Sequence, residues 1–134
     1  MTSVIKLRSG WHVDQAIVRE EERIVCIRFG VDGERETLLI DSILEKISIS
    51  VSQWCAIYSV DISKVVDFND MYELEVDECV LMIFYRNRHV MVDIGSGDNN
   101  KISVVKIERS RDALIELLEK VYRGARKGQG LVTV

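Results

Sequence analysis

The run Ile24-Val-Cys-Ile-Arg-Phe29 is apolar at nearly every residue rather than at every second one. A strand with one face in water alternates, whereas a strand covered on both faces does not. This segment therefore calls for a sheet with a layer packed on each side, as in the α/β class. A second such run, Trp54-Cys-Ala-Ile-Tyr-Ser-Val-Asp61, makes the same requirement. Between the two, Ile40, Ile43, Leu44 and Ile47 follow the i, i+3, i+4, i+7 rule, which predicts a helix starting near Glu36 and lying against the sheet.

The remaining segments extend this unit. "GWHVDQAIVREEER" predicts a short helix capped by Asp14, ending in an acidic run. "DFNDMYEL" offers Asp67 as the N-cap of another. "VLMIFY", the turn "RNRH" and the alternating "VMVDI" read as an antiparallel hairpin. After the loop "GSGDNNK", residues 102–107 form one more short extended piece. Leu114, Ile115, Leu117, Leu118, Val121 and Tyr122 then mark a closing helix, capped by Ser110 or Asp112 and stopped at Gly124. The order helix, β, α, β, α, hairpin, α is that of a thioredoxin-like fold. Residues 1–134 are expected to form a single domain: a central mixed β-sheet flanked by helices, with an N-terminal helical extension and a basic, glycine-containing tail from about residue 123.

In that fold the loop after the first core strand carries the redox dithiol. Here it offers Asp32, Gly33, Glu34, Arg35 and Thr37, and no cysteine. Dithiol exchange needs a thiolate with a resolving partner, and no CxxC occurs in the chain. The fold's second hallmark is a cis-proline just before the hairpin. The chain has no proline, where average usage gives about six or seven. Two independent requirements of a reductase fail.

The three cysteines at 26, 55 and 79 form no disulfide framework. Cys26 and Cys55 lie in apolar runs and read as buried small hydrophobes. Cys79 falls close to the vacated loop, so the alternative to a non-enzymatic protein is a single-thiol redox protein acting through it. Asp77 and Glu78 beside it should raise its pKa and oppose that role. His12 and His89 have no partner at metal-ligand spacing, and no metal, cofactor or small-molecule substrate is expected. "GSGDNN" resembles a phosphate loop but lacks the GK[ST] ending.

The formal net charge is -4, so any nucleic-acid contact has to come from a local patch. "MTSVIKLRSG" lacks the apolar core of a signal peptide, and "CVLMIFY" is too short to span a membrane. A reducing intracellular compartment is expected, with no membrane partner. The one basic concentration is "EKVYRGARKGQGLVTV", where Lys120, Arg123, Arg126 and Lys127 precede the apolar Leu131. Cations favour a helix C-terminus, which accounts for one or two of these charges. A flexible basic segment ending in an apolar hook also suits docking on a protein partner or on RNA phosphates.

The segments "GWHVDQAI", "EEERIVCIRFG", "VDISKVVDFNDMYEL", "FYRNRHVMVDIGSGDNNKI" and "VYRGARKGQGLV" run from Gly10 to Val132. Through them the chain resembles the small thioredoxin-like proteins of the spliceosomal U5 snRNP and tri-snRNP, the Dim-type family. The resemblance implies a nuclear, non-enzymatic splicing factor. It implies as partners the large spliceosomal scaffold protein and other tri-snRNP proteins, with snRNA or pre-mRNA contact open, and a role in holding the assembly inactive until release. The family usually carries a tryptophan, a proline and a cysteine where Gly33, Arg35 and Thr37 stand here, and a proline where Glu78 stands. A disulfide between the loop and Cys79, which the family would suggest, lacks one partner. Contacts made through a polar, tyrosine-bearing extension after "GLV" are not expected, since the sequence closes at Val134.

Overall fold

The computed structural model describes residues 4–134. Its elements are β1 (Ile5–Lys6), α1 (Gly10–Arg19), β2 (Ile24–Gly30), α2 (Arg35–Ile47), β3 (Cys55–Asp61), β4 (Val80–Tyr85), β5 (Arg88–Asp93), β6 (Ile102–Ser103), a 3-10 turn (Val104–Lys106), α3 (Arg111–Arg126) and β7 (Leu131–Thr133). They build one mixed sheet in the order β1-β3-β2-β4-β5-β7, with β6 also paired to β4. β2 runs parallel to β3 and antiparallel to β4, so it lies at the centre of the sheet.

Every residue of β2 is buried, as its unbroken apolar run requires. Successive side chains enter opposite layers. Ile24 and Cys26 pack with Ile40, Leu44 and Ile47 of α2 and Leu114, Leu118 and Val121 of α3. Val25, Ile27 and Phe29 pack with Val13 and Ile17 of α1 and with Phe68 from the segment after β3. Cys26 and Cys55 are both buried in the first of these layers. The hairpin closes through Arg86 and Asn87 at φ 50° and 65°, the two positive dihedrals a two-residue type I′ turn needs.

Four local readings are corrected. Ser9 caps α1, its hydroxyl accepting the His12 N–H at 3.2 Å, while Asp14 is exposed within the helix. The segment around Asp67 forms turns and no helix, and Asp67 packs against Gly10 at the start of α1. α2 begins at Arg35, in agreement with the expected start near Glu36. The extended piece after the glycine loop shrinks to Ile102–Ser103 followed by the 3-10 turn. The last concerns α3. Ser110 caps it as expected, but it runs through Gly124 to Arg126.

Gly124 is present for closeness rather than termination. A Cβ there would lie 2.5 Å from Val132 Cγ2 and 2.7 Å from Gln129 Oε1. The segment beyond the helix folds back as β7 beside β5, with Val132 in the core, so it is an ordered strand rather than a flexible tail.

Candidate functional site

Strand β2 delivers its last residue, Gly30, to the loop that precedes α2. A Cβ on Gly30 would lie 2.9 Å from both Cys79 Sγ and Thr37 Oγ1. Only a glycine lets the start of β4 and the first turn of α2 close on each other here. Thr37 and Cys79 are both buried, and the Thr37 side chain hydrogen-bonds the thiol. The space a dithiol would use is packed.

Burial raises the Cys79 pKa, and Asp41 and Glu36 push in the same direction against the Thr37 bond and the Arg28 charge. The direction matches the sequence reading, but the cause differs: desolvation dominates, and the carboxylates concerned belong to α2 rather than being Asp77 and Glu78. Burial likewise pushes Cys26 up to about 12 and Cys55 well above its ordinary value.

Sequence reasoning missed the residue that holds the loop. Arg28 is the single charge in the Ile24–Phe29 run, and its side chain is 1% exposed. Its guanidinium donates to both Asp41 oxygens at 2.8 and 2.9 Å, to Asp32 Oδ1 at 2.9 Å, and to the carbonyls of Val60 and Gly30 at 3.0 and 3.3 Å. Lys6 of β1 pairs with the other Asp32 oxygen. One buried cation thus ties β2, β3, the loop and α2 together. An arginine in an apolar run was the available signal, since a buried guanidinium demands acceptors.

Asp32 is therefore a structural anchor. Gly33 at φ 91°, Glu34 and Arg35 are exposed, and Arg109 pairs with Glu36 from the segment before α3. The outward rim of the loop is polar, with Leu38 exposed beside it on the first turn of α2.

The residues of the second expected site run along the last turns of α3 and into β7. Lys120 and Arg123 lie in a shallow depression on α3, where Lys120 pairs with Glu116 at 3.4 Å and Arg123 with Glu119. Arg126 lies over the Tyr122 ring at 5.5 Å and also borders a different cleft, shared with the hairpin turn. Lys127 is exposed at the helix end, and Leu131 is 44% exposed on β7. Lys120 and Arg123 thus share one depression, Arg126 borders the other cleft, and Lys127 and Leu131 follow at the helix end and on β7.

A mixed sheet between helices, with a buried threonine and a buried thiol packed beside the loop after its central strand, defines a thioredoxin-like protein. Solved structures of that fold agree: chloroplastic thioredoxin z matches with TM-score 0.68 over 92% of this chain and 98% of its own, at 15% identity. The family model described as mitosis protein DIM1 matches residues 3–134, and the chain belongs to that family. It is 48% identical over 132 residues to the spliceosomal protein DIB1 of Candida glabrata, covering 98% of this chain and 91% of the relative. It is 50% identical over 126 residues to the mitosis protein dim1 of Schizosaccharomyces pombe, covering 94% and 87%.

Proposed function

We propose that this chain is a non-catalytic pre-mRNA splicing factor, a structural component of the U5 snRNP and tri-snRNP that helps hold the pre-activation spliceosome. The observation that carries the reading is its near full-length identity to proteins named for the spliceosome. Two features of the site support a binding role over an enzymatic one: Thr37 fills the dithiol position, and Cys79 is buried with a raised pKa. The Arg28 network ties the loop to β2, β3 and α2, which suits a wedge that acts by occupancy.

Its place of action is the nucleus, and its partners are the large spliceosomal scaffold protein and neighbouring tri-snRNP proteins. The rim at Gly33, Glu34 and Arg35, beside Leu38, serves as a protein contact. Lys120 and Arg123 form one docking element on α3, while Lys127 and Leu131 form a second at the helix end. Affinity purification of the tagged protein from nuclear extract tests the reading, with small-RNA sequencing and mass spectrometry as the readout. Recovery of U5, U4 and U6 snRNAs with the large scaffold protein is expected. Recovery of none of them from an extract that splices would overturn it.

A further inference from the structure

The hairpin turn and the end of α3 enclose a cleft of about 400 Å³ lined by Tyr85, Arg86, Arg88, His89, Arg126 and residues 128–130, with no carboxylate in its lining. Arg88 and Arg126 are exposed, and neither has a carboxylate partner among the described residues. Arg86 stacks on Tyr85 at 5.2 Å, and its Nε donates to the Glu21 carbonyl at 3.0 Å. On its far side Arg86 borders the acidic run Glu20–Glu22, which offsets part of its charge. The net positive charge of the cleft therefore rests on Arg88 and Arg126.

We propose that this cleft binds the phosphate backbone of single-stranded RNA, with Arg88 and Arg126 each taking a phosphate and Arg86 braced against Tyr85 as the wall. Guanidinium forks match phosphate oxygens in geometry as well as charge. The α3 C-terminus would oppose an anion if its carbonyls were bare, but those of Gly124 and Ala125 are taken by the N–H groups of residues 127–129. An acidic peptide is the competing occupant. Tight peptide docking rests on buried side-chain anchors. The apolar floor here, Val90 and Ala125, is already buried and offers no such anchor. Backbone phosphates need none.

This inference rests on the proposed role in an RNA–protein particle, yet it is testable on the isolated chain. The probe is a fluorescent single-stranded oligouridine, read by anisotropy across a salt series. Two phosphate contacts give a slope of about -1.4, so affinity should fall about sevenfold between about 50 and 200 mM salt. Arg88→Ala/Arg126→Ala should weaken binding by about tenfold or more and flatten the slope. Lys46→Ala/Arg111→Ala removes the same charge from exposed positions elsewhere and should shift affinity by less than about twofold. Circular dichroism melts check that both variants are folded. Equal losses in the two variants, no binding by the unmodified chain, or displacement by a polyglutamate peptide at matched charge would each overturn the assignment. Recovery of snRNAs without oligouridine binding would sink the cleft alone, and the reverse pattern would sink the assembly role alone.

Discussion

Arg28 and Asp41 form the pair on which the loop depends, and they respond differently to removal. Deleting the Asp41 carboxylate leaves a guanidinium, 1% exposed, with Asp32 and two carbonyls as its remaining acceptors. Breaking a buried pair costs about 3–5 kcal/mol when the remaining charge is left unpaired, and Asp32 reduces that cost here. Arg28→Met instead removes the buried charge and fills the space with an apolar chain, leaving carboxylates that already reach water. Asp41→Ala is therefore expected to be the more damaging, measured by urea unfolding, and the opposite order would refute this account of the loop. The Cys79 thiol gives a second test at this scale. With its pKa raised above the ordinary 9.0, iodoacetamide should not alkylate it near pH 7 in the native state. Rapid modification there would reopen the single-thiol reading.

At the scale of elements, α3 and β7 depend on each other through Gly124. Alanine is the better helix former by about 1 kcal/mol, so Gly124→Ala would stabilise a free helix. Here the added Cβ meets Val132 at 2.5 Å, and overpacking of this kind costs about 1–3 kcal/mol. A lower melting temperature is expected, and a higher one would mean β7 is loosely held. This same contact marks where sequence reading stops. The buried strands, the hairpin and α2 were legible because burial on two faces and helical spacing leave repeating patterns. Strands β1 and β7, at two and three residues, are too short for any period and exist only through pairing with distant partners. Gly124 was read as a stop because a glycine after a helical pattern usually is one. Its actual reason is a neighbour eight residues away. The redox-null loop was legible from residue types alone, whereas the packing of Thr37 on Cys79 and the cleft joining Arg88 to Arg126 needed three-dimensional proximity.

For the whole molecule, titratable groups set the limits of stability on both sides of neutrality. Burial lowers the pKa of His89 from 6.5, outweighing its bond to the Asn100 carbonyl, so the folded state prefers the neutral ring. That contribution is complete above pH 6.5 and is lost as pH falls through the folded value. For Glu20 and Asp61, burial raises the pKa but hydrogen bonds win: Arg23 lowers Glu20 from 4.5, and Ser63 lowers Asp61 from 3.8. Their contributions are lost in turn at still lower pH. On the alkaline side, burial raises Cys26 from 9.0 to about 12, raises Cys55 as well, and raises Tyr58 and Tyr72 above 10.0. Unfolding releases these groups to ionise, so stability falls as pH rises past 9.0. A plateau between pH 6.5 and 9.0 follows, with separate losses on either side. Urea midpoints across a pH series would trace it, and His89→Gln should extend the plateau downward without moving the alkaline edge. If that variant leaves the acid edge unchanged, the ring is not the group that titrates there, and the carboxylates alone set the limit.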